Sequence, residues 1–152
     1  MPPSPKILAI SSGGGHWTQL LRLRPAFTGC RVLYATTHAA DSADVPSSRF
    51  LTIPDCSRWS PAATLSCLFQ TGKLLLAEKP DIILSTGAAP GCIACLLGKI
   101  LCHARIVWVD SIANAATLSC SARIIGPVAD LWLTQWPRLA QPHGPSFVGR
   151  VF

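Results

Sequence analysis

An apolar run that breaks into three consecutive glycines constrains this chain more than any other stretch. Ile7-Leu8-Ala9-Ile10 is short, apolar and partly β-branched, which suits a parallel strand covered on both faces. Ser11-Ser12-Gly13-Gly14-Gly15-His16 follows, and the pattern turns helical from Trp17 to about Phe27. A strand, a glycine loop and a helix in that order set backbone N–H groups at the positive end of the helix dipole. With no Cβ in the way, a phosphate or pyrophosphate can come close to them. His16 stands at the same mouth and carries imidazole, the side chain best suited to moving a proton near neutral pH. A tight turn with a capping histidine fits the same residues, and the loop alone does not choose between the two.

The rest of the chain repeats the alternation. Arg31–Thr36 reads as a second strand, 37–48 as a polar loop with His38, Asp41 and Asp44, and Phe50–Ile53 as a short third strand. Ser60-Pro61 is a helix start, with serine at the N-cap and proline in the first turn. The helix runs to about Glu78, and Lys79-Pro80 stops it. Leu65, Leu68, Phe69, Gly72, Leu75 and Leu76 recur at helical spacing, which predicts a stripe facing the core. The flanking Arg58, Trp59, Lys73 and Lys79 leave room for an interfacial role instead. Asp81–Ser85 predicts a fourth strand. A second glycine loop, Thr86-Gly87-Ala88-Ala89-Pro90-Gly91, then opens a helix through about Leu101. Arg105–Val109 predicts strand five, Leu118–Ile125 a short helix, Asp130–Thr134 strand six and Ser146–Arg150 a last strand. Such alternation predicts a Rossmann-like α/β fold, a parallel sheet with helices on both faces, as one domain over residues 1–152.

In sheets of this kind ligands bind outside the carboxyl ends of the strands. The loops at that edge are 12–16, 86–91, 110–114 and 135–137. They supply Gly13, Gly14, Gly15, Gly87 and Gly91 for a diphosphate, and His16 or Asp110 for a proton. Ser111 lies in the same polar patch as Asp110, and Asn114 and Gln135 suit sugar hydroxyls. Transfer of a glycosyl group needs such parts: a base for an acceptor hydroxyl and dipoles that hold phosphate charge. Asp110 fits equally well as the N-cap of the segment after it. No Gly-Lys-Ser/Thr follows the first glycines, so a P-loop is excluded. The glycine spacing and the missing acidic residue after strand two argue against a dinucleotide fingerprint. No nucleophile elbow is present.

Composition narrows the partners. Hydrophobic residues make up 49% of the chain and charged residues 13%, which points to a large partner-facing or membrane-facing surface. A net charge of +6 favours phosphates or anionic lipid, and the scattered basic residues match no nucleic-acid motif. No run approaches the length of a membrane span. Seven cysteines without a secretory signal predict free thiols. Cys92 and Cys95 are expected as small core residues of a buried helix rather than metal or redox ligands. No metal and no cofactor are expected.

Ser-Ser-Gly-Gly-Gly-His-Trp-Thr-Gln-Leu-Leu at 11–21 resembles the opening of bacterial PssD-like polysaccharide-biosynthesis proteins. The loop from Pro80 through Gly91 resembles their second glycine loop. Trp108–Ala113 is similar to their acidic-Ser block, and 129–137 and 148–150 to their closing segments. The resemblance covers nearly the whole chain. The family includes the membrane-anchoring subunit of the two-subunit transferase that adds the second GlcNAc to dolichol-diphosphate-GlcNAc. Its members resemble the N-terminal half of a GT-B glycosyltransferase such as MurG.

The resemblance implies half an enzyme: a subunit at the cytoplasmic face of the inner membrane that holds a polyprenyl-diphosphate-linked saccharide. It would recruit a partner resembling a GT-B C-terminal half, which binds the UDP-sugar. Gly14, Gly15 and His16 would then face the acceptor diphosphate or the cleft between the halves, with Asp110 at the same cleft. The eukaryotic relative has an N-terminal anchor, whereas only six residues precede strand one here. Peripheral attachment through an amphipathic surface and arginines, or through the partner, is the expectation. A non-catalytic scaffold that only localises and activates its partner is the alternative, and a free-standing nucleotide-binding enzyme a more distant one.

Overall fold

The computed structural model describes residues 3–56 and 60–152. Six strands form one sheet: β1 (Lys6–Ile10), β2 (Arg31–Thr36), β3 (Arg49–Thr52), β4 (Ile82–Ser85), β5 (Arg105–Val109) and β6 (Leu131–Leu133). Their order is β3-β2-β1-β4-β5-β6, and every pairing is parallel. The chain starts at the centre and builds outward to β3. It then returns to the other side of β1 and builds outward again to β6. The direction therefore reverses between β1 and β4, which leaves a crevice at their carboxyl ends.

Side-chain alternation along the strands separates two cores. Leu8 and Ile10 of β1, Leu33 and Ala35 of β2 and Ile83 of β4 face one layer. That layer is built from α2 (Pro61–Glu78), α3 (Ala88–Leu101) and α4 (Cys120–Ile125). Ile7 and Ala9, Tyr34 and Leu84 face the other layer, built from α1 (Gly15–Arg22) and the 3-10 turn Arg24–Phe27. Trp17 meets Tyr34 and Phe50 edge-on there, at centroid distances of 5.8 and 6.1 Å.

Most helix ends follow the local chemistry. Ser60 Oγ accepts from the Ala63 amide at 3.4 Å, Pro61 opens α2, and Lys79 closes it in the left-handed region (φ 46°) ahead of Pro80. The helix expected to reach Phe27 stops at Arg22. Pro25 lacks the amide needed to continue it, and a 3-10 turn takes over. The polar segment after β2 holds a 3-10 helix, Ala39–Asp44, and the helix expected from Leu118 starts at Cys120. The expected last strand reduces to one bridge, Ser146 to Leu133, before the tail turns away.

The largest departure concerns α2. The stripe expected to face the core is largely exposed: Leu65 and Phe69 are each 68% accessible and Leu76 is 55%. Leu75 of that stripe is buried as expected, and Cys67 and Thr71 face inward with it. Their neighbour α3 presents Ala94, Cys95 and Gly98 as buried positions, so two helices that approach closely bury their small residues. Of the expected cationic flanks, Lys73 lies 5.7 Å from the Phe69 ring, whereas Arg58 and Trp59 fall outside the described residues. No described helix is long and apolar enough to cross a membrane.

Candidate functional site at the β1–β4 crevice

The two glycine loops meet in the crevice where strand order reverses. His16 Nδ1 lies 3.0 Å from the Thr86 carbonyl oxygen, and Thr86 Oγ1 donates to the His16 carbonyl at 2.7 Å. A carbonyl only accepts, so the first bond assigns the ring proton to Nδ1. The half-exposed imidazole then keeps a lone pair on Nε2. A histidine held this way by a backbone carbonyl is oriented as a proton acceptor.

Neither α1 nor α3 has a side-chain N-cap. The Gly15, His16 and Trp17 amides of α1 and the Ala88 and Ala89 amides of α3 are therefore left without intrahelical acceptors, each group at the positive end of a dipole. Gly14 turns into α1 with φ 70°. Gly87 (φ 142°) and Ala88 (φ 65°) turn into α3. Ala88 is not glycine, so its left-handed φ costs about 1–2 kcal/mol. A Cβ on Gly87 would run into the His16 imidazole, whereas one on Gly14 or Gly15 would meet nothing within 4 Å.

The remaining expected site residues separate into two groups. Gly13 already donates to Thr37 Oγ1 at 3.2 Å, and a Cβ there would strike the His38 ring. Gly91 is buried within α3, where a Cβ would meet the Ser85 hydroxyl. These two glycines serve close packing, and Gly14, Gly15 and Gly87 line the mouth. Asp110 is 1% exposed. Its carboxylate accepts from Ser119 Oγ at 2.7 Å, the Ser119 amide at 3.0 Å and Asn114 Nδ2 at 3.2 Å. It thus ties the 110–119 loop to the start of α4. Ser111 is buried, and its hydroxyl accepts from Gln19 Nε2 at 3.0 Å.

Sequence reasoning passed over the residue that binds these loops together. Gln19 is 3% exposed. Its Oε1 accepts from the Ile112 amide at 3.0 Å and from Gln135 Nε2 at 2.6 Å. Gln135, expected to meet sugar hydroxyls, is 1% exposed and also donates to the Asp110 carbonyl at 3.0 Å. Its place in the 11–21 segment, one turn into α1 on the inner face, marks Gln19 in the sequence without giving it a role. His38 was also passed over, because its approach to Gly13 depends on the β1–β2 register.

Beyond Gln135, Trp136 donates its indole N–H to the Ile112 carbonyl at 2.7 Å, and the Arg150 guanidinium stacks 4.5 Å from its ring. The Cys-x-x-Cys pair is buried in α3, and burial pushes the Cys92 thiol up to about 11 and raises that of Cys95 as well. Neutral, enclosed thiols are packing groups.

The chain and its fold have relatives among known proteins. A UDP-N-acetylglucosamine transferase subunit of Mus musculus, ALG14, is 28% identical over 96% of this chain and 82% of its own. That of Schizosaccharomyces pombe is 34% identical over 65% of this chain and 50% of its own. Among solved structures, Acinetobacter baumannii MurG matches with a TM-score of 0.76 at 14% identity, over 95% of this chain and 45% of the MurG chain. This chain thus spans less than half of MurG. The likeness shows the fold, a Rossmann-like half of a GT-B architecture. The family described as "Oligosaccharide biosynthesis protein Alg14 like" matches residues 31–151. The chain belongs to the Alg14-like family.

Proposed function

We propose that this chain is the acceptor-side subunit of a two-component glycosyltransferase. It holds a lipid-diphosphate-linked saccharide while a GT-B partner chain presents the UDP-sugar. The observation that carries this reading is the crevice itself: two uncapped helix N-termini on adjacent strands, with a histidine between them whose Nε2 is free to accept. The amides of α1 and α3 take the diphosphate oxygens. In transfer, the acceptor hydroxyl oxygen bonds to the anomeric carbon of the sugar and the bond from that carbon to UDP breaks. The hydroxyl proton passes to His16 Nε2. Asp110 holds the 110–119 loop in place through three donors to its carboxylate. The relatives' designation as UDP-N-acetylglucosamine transferase subunits supports GlcNAc as the sugar and a second subunit as the partner.

The exposed stripe of α2 supports peripheral attachment to an anionic membrane surface. Leu65, Phe69 and Leu76 supply apolar area, Lys73 stands beside Phe69, and the chain carries +6 overall.

The test is a membrane sugar-transfer assay with radiolabelled UDP-GlcNAc, comparing this chain, its GT-B partner and the two together. Transfer is expected only with both chains present. His16→Ala is expected to lower it by about a hundredfold or more without loss of the complex. Equal transfer by the partner alone would overturn the acceptor-subunit reading. Full activity of the His16→Ala complex would leave the chain as a scaffold.

A further inference from the structure

The opposite end of the sheet carries a second collection of charge. Lys6, Arg31 and Arg49 are the first residues of β1, β2 and β3, three adjacent strands. Neighbouring strands lie about 4.8 Å apart, and Lys6 pairs directly with Arg31 in the β1–β2 register. Like charges placed opposite each other cost stability. Glu78 offsets part of this: its carboxylate meets Lys6 Nζ at 2.8 Å and takes both arms of Arg49, at 2.8 and 2.9 Å. Arg31 has no ion pair among the described residues.

Arg24 adds a fourth cation from the 3-10 turn after α1. Its guanidinium donates to the Asp44 carbonyl at 3.3 Å and stands beside the Tyr34 phenol. It too has no carboxylate partner among the described residues. These side chains rim an open cavity of about 630 Å³ whose floor includes the nearly buried Phe27 and Tyr34. That volume lies within the range of small-molecule sites, and a rim of Lys6, Arg24, Arg31 and Arg49 suits a phosphate.

A sequence that sets two cations in register and leaves Arg31 and Arg24 without counter-charges breaks a local rule, and Arg24 gains only the neutral Asp44 carbonyl and Tyr34 phenol as partners. Such conflicts collect where a ligand supplies the missing charge. We propose that this cavity is an anion site for a phosphate monoester or diphosphate. It is distinct from the crevice at the other end of the strands, with Arg24 and Arg31 as its principal ligands. The phosphate belongs either to a soluble compound or to a lipid headgroup. The proposal does not rest on the crevice reading, because no residue is shared between the two sites.

The test uses the full chain, titrated with inorganic pyrophosphate while backbone amide resonances are followed by NMR. Resonances of Thr28, Cys30, Arg31, Ser47 and Ser48 report on this cavity, and those of Gly14, Gly15, His16 and Gly87 report on the crevice. Saturating shifts are expected in the first group. The Arg24→Gln/Arg31→Gln double variant is expected to bind there at least about tenfold more weakly, the loss that follows when charge-assisted bonds are removed. His16→Ala leaves the first group unchanged. Both variants alter exposed or half-exposed side chains, and thermal unfolding checks that they fold. Shifts confined to the crevice group, or unchanged affinity in the double variant, would overturn the proposal.

Phosphatidylcholine vesicles with and without phosphatidic acid identify the source. Cosedimentation that needs phosphatidic acid and falls in the double variant assigns a lipid headgroup. Pyrophosphate binding without such cosedimentation assigns a soluble phosphate.

Discussion

At the scale of single residues, the crevice depends on where a Cβ is absent. Gly87 combines φ 142° with direct contact to the His16 ring, whereas Gly14 has φ 70° and open space around it. Gly87→Ala is therefore expected to cost about 1–3 kcal/mol in thermal denaturation and to depress sugar transfer, since the imidazole must leave the Thr86 carbonyl. Gly14→Ala carries only the backbone term, about 1–2 kcal/mol, and is expected to leave the His16–Thr86 bond in place. Equal losses of transfer in the two variants would show that contact with His16 does not matter. The sequence made the loops visible, because glycines between a strand and a helix recur at one edge of the sheet. It did not tell the glycines that line the mouth from packing ones. Gly13 fits under His38 and Gly91 over Ser85 through contacts made across strands and between layers, and no local pattern records those. Asp110 shows the same limit. A carboxylate at a strand's end reads as proton-carrying or as a cap, and only the fold shows that Ser119 and Asn114 donate to it.

Among the elements, the six strands and both ends of α2 were legible, the latter because Ser60, Pro61 and Pro80 mark them chemically. The end of α1 and the loss of the last strand were not. The inward face of α2 was not, because that helix is apolar on nearly every side and its neighbour chooses by size. Cys67 and Thr71 fit against α3, and the larger Leu65 and Phe69 are left outside. Changing Leu65 and Phe69 to serine is expected to shift stability by less than about 0.5 kcal/mol each, as for exposed positions. The same change is expected to reduce cosedimentation with anionic vesicles, and unchanged cosedimentation would remove α2 as the attachment face. The far end of α2 is tied down by charge. Hydrogen bonds from Arg49 and then Lys6 hold the Glu78 carboxyl down at about 2, from an ordinary value of 4.5. A carboxylate whose folded pKa is depressed contributes stability in full above its unfolded value, and loses it as pH falls toward the folded one. Thermal unfolding followed from pH 7 to pH 2 is therefore expected to show a drop between about 4.5 and 2, and Glu78→Gln is expected to flatten that limb. An identical acid limb in the variant would mean that the triad is not what acid breaks.

Across the whole molecule, the carboxyl edge of the sheet is assembled from distant parts of the chain, and one amide joins them. Gln19 in α1 bonds to Ser111 and Ile112 after β5 and to Gln135 after β6. Gln135 Oε1 in turn accepts from the Val151 amide at 3.0 Å, and Arg150 donates to the Gln135 carbonyl at 3.1 Å. The β6 end and the tail are thus held to α1 through two buried side chains, with an exposed Arg22 bond to the Val151 carbonyl at 3.3 Å beside them, while the tail pairs with the sheet at the Ser146 bridge. Gln19→Met keeps the length of the side chain but removes its donor and acceptor. The Ser111 hydroxyl, the Ile112 amide and one Gln135 N–H then lose this partner inside the protein, at about 1–3 kcal/mol for each group that finds no replacement. The loss is expected to be uneven. Amide hydrogen exchange should rise in 110–119 and 133–151, which the network fastens, and stay unchanged in β1, β2 and β4, which the central ladder fastens. Uniform acceleration over all six strands would mean that the sheet opens as one unit and that the edge has no separate clasp. If exchange rises only at the edge, the loops that flank the crevice are held by a device whose failure leaves the sheet standing. A variant of that kind would lose sugar transfer while remaining folded.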